Sequence, residues 1–212
     1  ASCASVTPNP DTLVLPLDSP VVGSVADGLG GHPFGDLAST IVVQTLARIG
    51  PLLRGEDAVR QALDLCNGRV YEEAGHDVSR TGMGTTVAGV VLVGDVVHVF
   101  NVGDSRVYLH GPDGLQRVSV DDSPPLGPGE THTAIVTRTL GGYGGPSPTE
   151  PHLSTRPLDE RERYLACTDG LTDVVDDAAI ARVLDGQSGV AATYELWRAA
   201  IAAVSSFVVN GE

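Results

Sequence analysis

Two aspartates, each followed by glycine, stand at the ends of apolar runs: Asp27-Gly28 after residues 21–26, and Asp169-Gly170 after Tyr164-Leu165-Ala166-Cys167-Thr168. Gly28 lacks a side chain, so the main chain can turn closely enough for its carbonyl to face the same point as the Asp27 carboxylate. Taken alone, that turn outlines a cation site but equally fits a solvated glycine-rich loop. The second junction shifts the balance. Two strand ends can converge at one edge of a sandwich, where paired carboxylates repel and resist desolvation unless hard divalent cations such as Mg²⁺ or Mn²⁺ hold them through oxygen. Asp121, at the end of residues 115–120, can supply a third carboxylate, and Asp11, in Asn9-Pro10-Asp11-Thr12, a fourth.

The elements that must position these residues follow from periodicity. Residues 21–26 read as a buried strand and 12–15 as a possible short one. Ala38, Ile41, Val42, Thr45, Leu46 and Ile49 recur at helical spacing until Gly50-Pro51 stops the pattern. A second helix is expected from about 56 to 74. The period then changes: 85–92, 96–102 and 106–110 are rich in β-branched residues and joined by Gly94-Asp95 and Gly103-Asp104-Ser105, as an antiparallel meander would be. A short strand is expected at 115–120. From 121 to 157 Pro, Gly and Thr predict a long surface loop or flap over a site. A strand at 163–168, helices at 177–184 and 193–203, and a final strand at 204–209 complete the pattern. Strands gathered mid-chain with helices early and late favour an α+β layered sandwich over a βαβ array.

Bulk properties narrow the function. The 212 residues fit one domain, 1–212, with a core that needs no disulfides. No apolar run approaches the roughly 18 residues of a membrane span, and neither 87–93 nor 199–204 resembles a secretory signal. With 13 basic against 27 acidic residues, the net charge of −14 repels phosphate backbones, so nucleic acid is not expected as a partner. Cys3, Cys66 and Cys167 are odd in number and widely spaced, which fits a reducing cytoplasm. They lack a Cys-x5-Arg arrangement, which disfavours a cysteine-nucleophile phosphatase.

Four blocks resemble the type 2C, or PPM, metal-dependent protein serine/threonine phosphatases, the first two in the form of the bacterial branch that opposes Ser/Thr kinases. They are Val25-Ala26-Asp27-Gly28-Leu29-Gly30-Gly31-His32 followed by Gly35 and Ala38-Ser39; Gly82-Met83-Gly84-Thr85-Thr86; Asn101-Val102-Gly103-Asp104-Ser105-Arg106-Val107-Tyr108; and Cys167-Thr168-Asp169-Gly170-Leu171-Thr172-Asp173. They occur in the family's order across almost the whole chain. The resemblance implies a four-layer α-β-β-α sandwich of two mainly antiparallel sheets flanked by helices. It also implies hydrolysis of phosphoserine and phosphothreonine in kinase substrates by a water shared between two Mn²⁺ or Mg²⁺ ions, without a phosphoenzyme. Such ions lower the pKa of water and neutralise phosphoryl charge.

Carried over by position, Asp27 bridges the two metals, the Gly28 carbonyl binds the second, and Asp169 binds the first. Asp121 goes with a third, weaker ion, and Asp11 holds metal-bound water. Asp104 belongs to a structural turn or backs the ligands, and a monomer is the default assembly.

The chain also departs from the family's pattern. The first Arg is Arg48, so the phosphate-binding Arg is unknown, and Pro10 replaces the usual acidic residue. Leu29 stands where some branches place a general-acid His. His32 is nearby, either as that acid or as a helix-entry residue bonded to backbone. No Gly-x-Asp-Asn segment, the source of the last metal ligand, lies between Ala203 and Val204. These gaps support an alternative: a weak or inactive pseudophosphatase that binds phosphoproteins or a regulator.

Overall fold

The computed structural model describes residues 19–29, 34–125, 133, 135–143, 145–146, 148–187 and 189–210, with backbone only for 205–210. Asp11, His32, Cys3 and the possible strand at 12–15 lie outside the described residues. The first sheet contains β1 (Val21–Val25), β3 (Val87–Val93), β4 (Val96–Val102) and β8 (His152–Pro157), in the order β1-β3-β4-β8. The second contains β6 (Gly114–Arg117), β5 (Arg106–Gly111) and β9 (Arg163–Cys167), in that order. A small ladder joins β2 (Gly84–Thr85) to β7 (Leu140–Gly141). All pairings are antiparallel.

The period-two alternation of the strands sorts their side chains into layers. Val87, Val91, Phe100 and Val102 project to one side of the first sheet and pack against α1 (Gly35–Ile49) and α2 (Glu56–Gly75) through Val42, Leu46, Leu63 and Val70. Ala88, Val90, Val97 and Val99 project to the other side and meet Val107, Tyr164 and Ala166 of the second sheet. Beyond that sheet, Leu115 and Leu165 pack against α4 (Asp177–Gly186) and α5 (Gly189–Asn210) through Ile180, Leu184 and Leu196. The fold is therefore the expected α-β-β-α sandwich. No helix among the described residues is long and apolar enough to cross a membrane.

Three local expectations are corrected. Residues 204–209 do not form a strand: α5 runs through Ala203 and Val204 to Asn210. The alanine-rich stretch before them is strongly helix-forming and no Gly, Pro or Asn interrupts it, so each added residue extends the helix by one hydrogen bond. The flap region is not all loop either, since His152–Pro157 is β8, paired with β4 from Val96↔Pro157 to Asn101↔His152. Only Leu153 of this edge strand packs into the helix-side core, and its terminal Pro and polar residues conceal it from a hydrophobicity reading. The strand expected at 85–92 is divided at Thr86. Thr86 donates its N–H to the Asp27 carbonyl, 2.9 Å away, so the break serves the site.

Candidate metal-centred active site

Asp27 emerges from β1 and is held along its main chain by the Gly-Thr-Thr segment. The Thr85 hydroxyl donates to the Asp27 carbonyl at 2.7 Å, and the Asp27 N–H donates to Thr86 Oγ1 at 3.3 Å. Leu29 donates its N–H to the Gly84 carbonyl at 3.0 Å. Thr86 Oγ1 is itself 2.7 Å from the buried Ser105 Oγ. This fixes Asp27 without occupying its carboxylate through these bonds. Gly28 is required by proximity: a Cβ there would lie 2.1 Å from the Gly35 carbonyl oxygen at the start of α1.

Asp169 opens a one-turn helix, α3 (Asp169–Thr172), directly after β9. The two junctions converge as the sequence implied, with the Asp27 and Asp169 carboxyls within hydrogen-bonding reach of each other. Burial, then the adjoining Asp169, push the Asp27 carboxyl up to about 6, against a lowering by the Thr168 hydroxyl. Asp104 is also raised above the usual carboxylate range, chiefly by burial and next by the charge of Asp169. Asp27, Gly28, Asp104 and Asp169 line one cleft of about 630 Å³, together with a wall formed by Ile135, Val136, Thr137, Thr139 and Tyr143. No Lys, Arg or His is among the described lining residues.

Asp121 is placed differently. Its Oδ2 accepts from Arg106 Nη2 at 2.7 Å and from Arg117 Nη1 at 2.9 Å. Arg106 Nε adds contacts of 3.2 and 3.0 Å to the two oxygens. Its charge is thus already matched by two guanidiniums, although it is near enough to raise Asp104.

The donor chemistry fits Mg²⁺ or Mn²⁺. Among the described residues no three His, Cys, Asp or Glu side chains gather as a single ion's shell. A closely spaced carboxylate pair with no cationic side chain in the described lining suits an ion of the kind that keeps several waters and takes one or two carboxylates, plus substrate phosphate. Asp27 and Asp169 would hold such ions, with the Gly28 carbonyl beside them and Asp104 behind. The described cysteines offer no competing nucleophile: burial pushes Cys66 and Cys167 up to about 12, leaving both as thiols near neutral pH.

The Protein phosphatase 2C family model matches residues 7–204. The chain belongs to the protein phosphatase 2C family. Serine/threonine protein phosphatase PstP of Mycobacterium tuberculosis is 31% identical over 179 residues, covering 76% of this chain and 34% of the relative. Serine/threonine phosphatase stp of Listeria innocua is 30% identical over 179 residues, covering 76% of this chain and 70% of the relative. The chain thus spans about a third of the length of the mycobacterial relative. Among solved structures, the catalytic domain of PstP in complex with two manganese ions superposes with a TM-score of 0.76 at 26% identity, covering 92% of this chain and 90% of that one.

As a member of the 2C family, the chain shows why several contributors escaped sequence reasoning. Thr85 and Thr86 were visible within a matched block, but only the fold shows that their hydroxyls hold Asp27. Ile135, Thr137 and Tyr143 carry no motif and reach the cleft from a distant segment. Asp122 follows Asp121 directly in the chain and carries no motif of its own. It is a buried carboxylate at 8% exposure, and the adjacent acidic pair was its only signal.

Proposed function

We propose that residues 1–212 form a single catalytic domain that hydrolyses phosphoserine and phosphothreonine in proteins, using Mn²⁺ or Mg²⁺. Convergence of Asp27 and Asp169 on one cleft, with no cationic side chain among its described lining residues, carries this reading. Two ions, with a third weaker one, would activate water and neutralise phosphoryl charge when bound. Around them the chain's own groups do the rest. Asp27 and Asp169 ionise and serve as ligands. Thr85, Thr86 and Ser105 keep Asp27 from turning away. Asp104 adds negative charge behind the pair, strengthening its demand for cations. The wall from Ile135 to Tyr143 narrows access and orients the phosphorylated residue.

Among the described residues neither thiol is placed to form a phosphoenzyme, since burial pushes Cys66 and Cys167 up to about 12. Those free thiols also support a reducing, cytoplasmic setting. The substrates are phosphoproteins made by a Ser/Thr kinase, and the protein acts as a monomer by default.

Beside the gaps in the sequence pattern, the non-catalytic reading draws on the engagement of Asp121 by Arg106 and Arg117. Steady-state hydrolysis of p-nitrophenyl phosphate and a phosphothreonine peptide separates the two. The phosphatase reading expects turnover that a chelator abolishes, Mn²⁺ restores, and Asp27→Ala or Asp169→Ala removes. Turnover unaffected by chelation would overturn the metal mechanism, and its absence with Mn²⁺ present would favour the pseudophosphatase.

A further inference from the structure

We propose that Asp122 is a positioning residue of the cleft, fixing the spacing between the Asp104 loop and the wall at 135–139. The proposal rests on the reading of this cleft as a phosphoester site.

Asp122 joins three separate pieces of chain. Its Oδ2 accepts the Gly103 N–H at 2.9 Å, while its own N–H donates to the Gly103 carbonyl at 2.9 Å. Its Oδ1 is 2.9 Å from His152 Nε2 on β8 and 3.4 Å from Arg138 Nη1. Its carbonyl accepts the Thr137 N–H at 2.7 Å. Gly103 precedes Asp104, and Thr137 lines the same cleft, so both of these lining segments are tied to one residue.

Neither side has slack to absorb a displacement of Asp122. Gly103 sits at φ +100°, and a Cβ there would be 2.7 Å from the side chain of Thr86, the residue that holds Asp27. Asn101 clamps the residue before Asp121, with Nδ2 donating to the Val120 carbonyl at 2.6 Å and Oδ1 accepting the Val120 N–H at 3.2 Å. The far end of the wall is pinned too, as Gly141 donates to Asn67 Oδ1 at 2.8 Å and Gly142 to the Met83 carbonyl at 2.8 Å. Loss of the Asp122 carboxylate removes the acceptor for the Gly103 N–H and the partner of Arg138 and His152. It loosens the Asp104 loop and the Arg138 part of the wall together, while the main-chain bonds to Gly103 and Thr137 remain. Arg138→Met loosens the wall and leaves Gly103 held.

The test compares wild type, Asp122→Ala, Asp122→Asn and Arg138→Met. It measures KM for a phosphothreonine peptide and for p-nitrophenyl phosphate, and Mn²⁺ affinity by calorimetry. Asp122→Ala is expected to raise the peptide KM about tenfold relative to the aryl phosphate, and to weaken Mn²⁺ binding several-fold; a displacement of 1 Å can cost more than that. Arg138→Met raises only the peptide KM. Asp122→Asn keeps an acceptor for Gly103 and retains wild-type Mn²⁺ affinity. An Asp122→Ala protein that melts earlier yet keeps both the KM ratio and the Mn²⁺ affinity of wild type would overturn the proposal. Should that variant fail to fold, an Arg138→Met protein with an unchanged KM ratio overturns it instead. Wild-type protein that hydrolyses neither compound counts against the phosphatase reading, while the Mn²⁺ titrations still decide the Asp104 half.

Discussion

A methyl group added at Gly28 would lie 2.1 Å from the carbonyl oxygen of Gly35, 2.2 Å from its carbonyl carbon and 2.8 Å from its α-carbon. All three are main-chain atoms, so no rotamer change relieves the overlap. Ordinary contact requires the end of β1 and the start of α1 to part by about 1 Å or more. Overpacking of this kind costs about 1–3 kcal/mol, and the rigidity of both partners puts Gly28→Ala near the top, at about 3 kcal/mol.

Gly35→Ala tests the same junction from the other side with a milder clash, 2.9 Å to the Leu29 carbonyl oxygen and 3.0 Å to the Gly28 carbonyl carbon. A gain in helix propensity partly offsets it, leaving a loss of about 1 kcal/mol. Gly68 is exposed within α2 and its added Cβ meets nothing within 4 Å. Gly68→Ala should therefore stabilise by about 0.5–1 kcal/mol. Urea unfolding in chelator gives the three values, and Mn²⁺ calorimetry should show weakened binding only for the junction variants. A Gly28→Ala protein as stable as wild type, or a reversed order of Gly28 and Gly35, would refute the close-packed junction.

Further outcomes concern charge. In metal-free protein Asp27 has a folded pKa of about 6 against a usual 3.8. The native state therefore binds more proton than the unfolded chain between those values, and this group lowers stability as pH rises through that window. Two units correspond to about 3 kcal/mol, which screening of a half-exposed group reduces to about 1 kcal/mol. Asp27→Asn should thus raise stability in chelator by about 1 kcal/mol at pH 7 and by nothing near pH 4, as thermal melts at the two pH values would show. Saturating Mn²⁺ should reverse the comparison at pH 7, because only wild type gains the ions' binding energy. Arg106→Met leaves the mostly buried Asp121 with Arg117 alone and should cost about 1–3 kcal/mol in urea unfolding; a loss of Mn²⁺ affinity larger than the stability change would instead give Asp121 a ligand role. Tyr108→Phe removes the 2.8 Å bond to Asp177. It should cost about 0.5–1.5 kcal/mol with Mn²⁺ affinity unchanged, by the same two measurements.

The two Asp-Gly junctions and the layer plan are legible in local sequence. Asp27-Gly28 and Asp169-Gly170 each follow an apolar strand, and both features are local: a β-branched run announces its strand, and glycine marks the turn where main chain must pass close to something. The same local logic located α1, α2, β4 and β5, because each buries one face and so carries its period in the sequence.

Where burial gives no period, the tertiary structure decided. β8 is an edge strand whose pairing with β4 is set by backbone bonds that a sequence does not display. Residues 204–209 are rich enough in valine to read as a strand, yet a strand needs a neighbour, and continuing α5 needs only the preceding turn. Asp121 and Asp122 are adjacent carboxylates of equal promise in the sequence. In the fold one reaches Arg106 and Arg117 and the other Gly103 and His152. The pairing of Asp27 with Asp169 was likewise only implied until the two sheet ends met. Electrostatic roles depend on distances between residues remote in the chain, and packing of the two sheets fixes those distances.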